Sequence, residues 1–160
     1  MEGTRGSGDA NARRIAVEML DQAVALDSSF ALAYADLSLA HMWLFRHYVD
    51  PSEDRLTMAK AAGDRALAID PDLPAAHRPL GHYYYWGGTP NRELALEEFK
   101  LVALREPNNA YARSLIGELQ AAHGEWDQAL VNTALAADLD PREPEWLVNA
   151  ARFFLMARQY

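Results

Sequence analysis

The stretch from His77 to Pro107 constrains this chain more than any other. It reads His77-x-x-Leu80-Gly81-x-x-Tyr84, then Ala95-x-x-x-Phe99, then Pro107. Apolar residues three and four positions apart share one side of an α-helix, so the pattern predicts two helices. Gly87-Gly88-Thr89-Pro90 between them predicts a turn followed by a capped helix start. Gly81 and Ala95 carry little or no side chain. Two antiparallel helices can therefore approach closely there while Leu80, Tyr84 and Phe99 fill the space on either side. Pro107 ends the second helix, because it has no amide hydrogen and its ring clashes with the preceding turn.

The same arrangement recurs along the chain. From about Ala10 to Asp27, Ile15, Ala16, Met19, Leu20, Ala23, Val24 and Leu26 predict one amphipathic helix. Ser28 or Ser29 is then expected to cap a helix running from Phe30 to about Tyr48. Asp50-Pro51-x-Glu53 reads as the next helix start, with Asp50 as cap and Glu53 completing a capping box, and that helix runs to about Ile69. The following helix begins near Pro74, which places Pro79 close to its first turn. A partner helix spans Pro90 to about Arg105. Asn108 or Asn109 caps another, Ile116-Gly117 repeats the Leu-Gly pair, and the run from Gly124 to Ala129 turns into a helix closed by Pro141. Pro144 opens a final helix carrying Leu147, Ala150, Ala151 and Phe154.

These residues resemble the tetratricopeptide repeat (TPR) family, whose pattern is Trp-x-x-Leu-Gly-x-x-Tyr, then Ala-x-x-x-Phe, then Pro. His77 replaces the leading Trp. The resemblance implies an all-α, right-handed superhelix of antiparallel helix pairs with about eight helices. After a flexible tail at 1–9, the array would occupy 10–160: a half repeat at 10–30, repeats at 31–73, 74–109 and 110–143, and a half repeat at 144–160, as a fragment of a longer array. Successive stops at Pro71, Pro107 and Pro141 lie 36 and 34 residues apart, whereas Ser28 to Pro71 spans 43. The excess falls around Arg46 to Arg55 and is expected as longer facing ends of two helices. In the second repeat Ser38 and His41 depart from the family pattern, and Gly63 stands where a bulky residue is usual. Arg113, Gln120 and Thr133 depart in the fourth, which predicts looser packing there.

Half of the 160 residues are hydrophobic, enough to bury a core. There is no cysteine, which fits a reducing, cytoplasmic compartment but also many exported proteins. A formal net charge of -8 opposes binding to nucleic acid and to anionic membrane surfaces. The Gly-rich start has no apolar core of the kind a secretory signal needs, and no run is long enough to span a membrane.

Residues that carry chemistry are sparse. His41, His47, His77, His82 and His123 form no His-Glu-x-x-His pair, so no metal site is expected. Asp138 and Asp140 only superficially resemble a calcium loop, since Pro141 and Arg142 follow. No nucleophile elbow or cysteine nucleophile is present, so no enzyme activity and no cofactor are expected. The run Tyr83-Tyr84-Tyr85-Trp86 stands out, because four consecutive aromatics on a helix point in four directions and cannot all enter one core.

In TPR arrays the first helices of successive repeats line a concave groove. The resemblance places Asp36, Leu39 and Trp43, then Arg78, His82, Tyr85 and Trp86, then Tyr111, Ser114 and Glu118, then Asn149 and Arg152 on that face. It implies a protein-interaction scaffold binding a peptide, a helix or a neighbouring domain. Positions that hold a terminal carboxylate in the chaperone-tail binders of the family are Ala35, Leu39, Pro79, Tyr111 and Leu115 here, so that subtype is not expected. The run Phe30-Ala-Leu-Ala-Tyr34 also resembles TPR regions appended to bacterial signalling proteins, which implies a regulatory segment. The alternative to groove contact for Trp43, Tyr85 and Trp86 is packing over the elongated second repeat. Two alternative functions stand beside the scaffold: a small-molecule sensor that encloses its ligand between that repeat and the aromatic run Tyr83 to Trp86, and self-association through the apolar final helix.

Overall fold

In the computed structural model the described residues are 4–158, with side chains from Ala10 onward. They form eight α-helices: α1 (Thr4–Leu26), α2 (Ala31–Arg46), α3 (Glu53–Ile69), α4 (Pro74–Trp86), α5 (Arg92–Arg105), α6 (Ala110–Ala122), α7 (Trp126–Leu139) and α8 (Pro144–Ala157). Helix order is as expected. The tail expected at 1–9 is helical from Thr4, and its first three residues lie outside the described part. Extending a formed helix needs no new nucleus, so Gly6 and Gly8, at about 1 kcal/mol each relative to alanine, do not stop it at Ala10. The chain divides into two compact units, Met1–Asn91 and Arg92–Tyr160. The division falls inside the expected repeat 74–109, leaving α4 in the first unit and α5 in the second.

In the first unit α2 packs against α1, α3 and α4. Val17, Leu37, Leu44 and Ala62 form a core between α1, α2 and α3, with Leu20, Val24, Ala40 and Val49 around it. Met42, Leu56 and Ala59 form a second core, against which Phe45 and Tyr83 pack. Where α2, α3 and α4 meet, the most buried residues are Ala35, Ala66 and Ala76, with Tyr34, Leu67 and Leu73 packed around them. Such small side chains let three helices come together without voids. Beside them the Ser38 hydroxyl donates to the Ala59 carbonyl at 2.6 Å. Gly63 faces the same seam: a Cβ there would sit 2.8 Å from Leu80 Cδ2 and 3.1 Å from Ser38 Oγ. The two departures at Ser38 and Gly63 are thus complementary, the larger serine being accommodated by the missing side chain opposite.

Local chemistry departs from expectation at four points. Residues 47–52 leave the helix, so the excess length is a folded loop and not longer helix ends. The amides of Val49 and Asp50 both donate to the Leu44 carbonyl, and Tyr48 adopts the left-handed region at φ 54°. Pro51 disfavours helix at the residue before it, which keeps the segment from continuing α2. Ser52, not Asp50, precedes α3, and makes no side-chain cap. The Asp50 carboxylate accepts from Arg55 Nε at 2.6 Å, a charge-assisted bond. Phe30, not a serine, precedes α2; Ser29 turns back to Asp27, with both its amide and its hydroxyl donating to Oδ1. Pro79 lies inside α4, deeper than the first turn.

In the second unit α6 packs against α5, α7 and α8. Asn109 caps α6 as expected, its Oδ1 accepting from the Ala112 amide at 2.9 Å. At the other end Gly124, at φ 80°, lets the chain reverse: its amide donates to Ala121 and that of Glu125 donates to Gln120. This pairing is a Schellman motif, and its left-handed residue is the reason glycine stands there. Ala121, Ala129 and Phe153 form a core between α6, α7 and α8, flanked by Trp126 and Leu130. Gly117 sits against α7 so closely that a Cβ would meet Thr133 Cγ2 at 2.5 Å and the Ala129 carbonyl at 3.0 Å. No helix among the described residues is long and apolar enough to cross a membrane.

Gly117→Ala is accordingly expected to lower stability by up to about 2 kcal/mol, because an overpacking cost of about 1–3 kcal/mol outweighs all or most of the helix-propensity gain of about 1 kcal/mol, the 2.5 Å approach to Thr133 Cγ2 placing it toward the upper end. Urea denaturation should show a lower midpoint with an unchanged slope, and Thr133→Ser added to the variant should recover part of the loss by removing the clashing methyl.

Candidate functional site

The face expected to bind partners is built in each unit from residues at helical spacing. In the first unit α2 contributes Asp36, Leu39 and Trp43, and α4 contributes Arg78, His82 and Trp86, each four residues after the last, with Tyr85 beside them. The Trp43 ring stacks on His47 at 4.4 Å with planes 16° apart, and the Arg13 guanidinium of α1 lies 5.4 Å from the Trp43 centroid. The Trp86 ring meets Tyr85 at 4.9 Å and His82 at 4.7 Å. Over Trp86 lies the guanidinium of Arg46, 3.8 Å from the ring centroid. A cation at that distance over an indole is a favourable electrostatic contact.

Arg46 is not among the expected site residues, nor are His47 and Arg13. The signal for Arg46 and His47 is present in part, since they follow Trp43 by three and four positions; placing Arg46 over Trp86 needs the α2–α4 packing. Tyr85 and Trp86 are half-buried and Trp43 is 36% exposed, so this cluster offers aromatic surface. His82 does not, being only 5% exposed. Burial pushes its imidazole down to about 3, and the positive charges of Arg78 and Arg46 act in the same direction.

In the second unit α6 contributes Tyr111, Ser114 and Glu118, and α8 contributes Asn149 and Arg152. Ser114 and Asn149 are buried and present no surface to a partner. Glu118 and Arg152, expected to pair with a partner, face each other across α6 and α8 at 3.7 Å. Such a partly exposed ion pair contributes little to stability and can be exchanged for another. Tyr111 meets Trp146 edge-on at 6.0 Å. Trp146 is a further residue of this face that the sequence reading missed, although it precedes Asn149 by one helical turn.

Two cavities lie away from these faces. One of about 460 Å³ opens between α1, α2 and α3 and is lined by Val24, Tyr34, Leu37, His41, Met58 and Ala62, with Asp21 and Arg55 adding charge. It touches the elongated second repeat, but its lining includes none of Tyr83 to Trp86. Burial lowers the His41 imidazole, with Arg55 adding to the effect; Arg55 Nη1 lies 3.1 Å from its Nδ1. The other, of about 380 Å³, lies between α5, α6 and α7. Among the described residues no three His, Cys, Asp or Glu side chains gather as metal ligands would.

This architecture is of the TPR type. The chain is similar to TTC0263, a thermophilic TPR protein of Thermus thermophilus, at 25% identity and a TM-score of 0.74, covering 94% of this chain and 77% of that one. MamA from Desulfovibrio magneticus RS-1 (residues 41 to the end) matches at 18% identity and a TM-score of 0.65, covering 92% of this chain and 84% of that one. A MamA from MSR-1 matches at 23% identity and a TM-score of 0.66, covering 92% and 79%. No protein-family model matches the sequence, and no curated protein matches it.

The buried His82 sets a pH dependence. Below its ordinary value near 6.5 the unfolded chain takes up a proton that the native state refuses until about pH 3. Stability is therefore whole above about pH 6.5 and is lost as pH falls toward 3. Denaturant unfolding at steps between pH 6.5 and 4 should show the wild type losing about 1 kcal/mol per pH unit more than His82→Gln. Equal slopes would mean that His82 is not the group responsible.

Proposed function

We propose that the chain is a protein-interaction scaffold, without catalysis of its own, that lays a peptide, helix or neighbouring domain along the α2 and α4 face, as a regulatory segment of a larger protein. The observation that carries this reading is the Arg46 guanidinium over Trp86, with Tyr85 beside that ring and the Trp43–His47 stack next to Arg46 in the chain. Arginine and large aromatics are the residue types that dominate binding energy at protein interfaces. Three arginines, Arg13, Arg46 and Arg78, border this face in a chain whose formal net charge is -8. Its chemistry therefore favours partners that carry acidic and aromatic or aliphatic side chains. The TPR-type fold supports the general reading, since such repeats present extended surfaces to other proteins.

Selection of a random peptide library on the full chain is expected to enrich peptides pairing Asp or Glu with an aromatic residue. Trp86→Ala and Arg46→Ala should each weaken such peptides about tenfold or more, with helical circular dichroism retained. Peptides that bind wild type and both variants equally would place the site elsewhere.

Self-association is a second reading, supported by α8, where Leu147, Val148, Phe154 and Leu155 are all more than half exposed. Sedimentation should then show concentration-dependent association that Leu155→Lys abolishes. A wild type that stays monomeric at all concentrations tested rejects it. Small-molecule sensing is supported by the largely apolar lining of the cavity between α1, α2 and α3, whose volume of about 460 Å³ falls in the range of ligand pockets.

A further inference from the structure

The departures at Arg113 and Gln120 converge on one cavity. Arg113, Ile116 and Gln120 of α6 line the space of about 380 Å³ between α5, α6 and α7, together with Lys100 and Leu104 of α5 and Asn132 of α7. The corresponding slots of the second repeat, Tyr34, Leu37 and His41, line the cavity of the first unit. There the neighbouring arginine, Arg55, is already bound to the Asp50 carboxylate. In the second unit the lining among the described residues includes no carboxylate.

The polar wall of this cavity has a direction. Asn132 Nδ2 donates to Gln120 Oε1 at 2.9 Å and to the Gln128 carbonyl at 3.1 Å, and Gln120 Nε2 donates to Gln128 Oε1 at 2.8 Å. Both hydrogens of the Asn132 amide are thereby used, and the two side-chain amides are held in place. Arg113 joins the network through a single bond from Nη1 to Asn132 Oδ1 at 3.3 Å, while its Nε is buried without an acceptor. A guanidinium has five N–H donors, so this one is far from satisfied. What the site lacks is an acceptor, and its two cations, Arg113 and Lys100, specify a negative one. Ala103, Leu104, Pro107 and Ile116 give the rest of the wall an apolar surface suited to a hydrocarbon chain.

We infer that this cavity binds a carboxylate borne on a short aliphatic chain, the carboxylate taken by Arg113 and Lys100 and the chain laid against Leu104 and Ile116. An arginine fork matches a carboxylate through two parallel bonds, and a volume of this size suits a small molecule or the last residues of a peptide. The site is separate from the aromatic face of the proposed scaffold and does not depend on it.

The test uses the full chain and two probes of the same chemistry: hexanoate, and N-acetyl-Ala-Leu with a free C-terminal carboxylate. Hexanamide and the amidated peptide serve as uncharged controls. Nitrogen–proton NMR spectra should show saturable shifts of the Gln120 and Asn132 side-chain amides and of Arg113 Nε–H with a carboxylate probe and not with its control. Arg113→Met should weaken binding about tenfold or more, and Lys100→Gln by a few-fold, each with its melting transition preserved. Saturation by hexanoate alone identifies a free small carboxylate as the ligand, and saturation by the peptide alone identifies a chain terminus. Either supports the site. Equal shifts from carboxylates and amides, or no saturation by either carboxylate up to about 10 mM, overturn it. The wild-type comparison of acid with amide decides the matter even if Arg113→Met does not fold.

Discussion

The separation of paired helices is the constraint on which the structure depends. In the second unit Gly117 brings α6 so near α7 that only a hydrogen fits against the Ala129 carbonyl and the Thr133 methyl. In the first unit the equivalent slot holds Ser38, whose hydroxyl would be in the way were it not donating to the Ala59 carbonyl at 2.6 Å. One seam is closed by removing a side chain and the other by turning a steric problem into a hydrogen bond. Ser38 in turn requires Gly63 on α3, where any Cβ would press on both Ser38 and Leu80. The second-repeat departures at Ser38 and Gly63 are therefore one adjustment made at two positions.

Close pairing also decides which side chains are left over. Tyr83 packs on the Met42–Leu56 core, and Tyr84 lies near Lys60, whose ammonium is 5.8 Å from its ring. Tyr85 and Trp86 are turned the other way by the 100° step between helical residues and fall under the end of α2. There Arg46 covers Trp86. A cation in this position holds the indole in place while its own polar edge keeps water, so the cluster remains a partly wet surface and not a closed core. The cost is borne by His82, which is buried beside two arginines and is kept neutral.

How much of this was legible in the sequence follows from which interactions are local. Helix order, the Asn109 cap and the turn at Gly124 rest on residues a few positions apart, and spacing reveals them; the close approach of Gly117 to Ala129 and Thr133 is legible only because Ile116-Gly117 repeats the Leu-Gly pair of the family pattern. The cap expected at Asp50 failed because α3 begins only at Glu53, which puts Ser52 in the cap position, and the Asp50 carboxylate pairs with Arg55 in the first turn. The cap expected from Ser28 or Ser29 failed in the same manner, with Ser29 drawn to Asp27. The loop at 47–52 is not legible from composition because its residues do not exclude helix individually. What ends the helix is the combination of Pro51 ahead and Tyr48 in a left-handed conformation that propensity never favours. In the candidate site, the family resemblance placed Trp43, Arg78, Tyr85 and Trp86 on one face but could not tell that His82, Ser114 and Asn149 would be buried, since burial depends on what a neighbouring helix brings. Arg46 over Trp86 is a contact between residues about forty positions apart, and no local rule reaches it.

The two units apply the same slots to opposite ends. Tyr34, Leu37 and His41 in the first and Arg113, Ile116 and Gln120 in the second stand at the same steps of α2 and α6, and both sets border a cavity against the helix before and the helix after. A repeat whose slots are filled with large aromatics spends them on packing. Substituting arginine and glutamine removes bulk from the seam and adds donors that the helix backbone cannot satisfy. In the first unit the added charge of Arg55 is absorbed by Asp50, so that cavity is left largely apolar. In the second, Asn132, Gln120 and Gln128 bond to one another and offer the guanidinium a single acceptor, which leaves its Nε unpaired. Because a buried unpaired donor costs about 1–3 kcal/mol, that arrangement is one in which an incoming acceptor gains more than it would in water. Packing efficiency and binding capacity are thus traded at identical positions, which is how a repeat architecture acquires a distinct site without any change of fold.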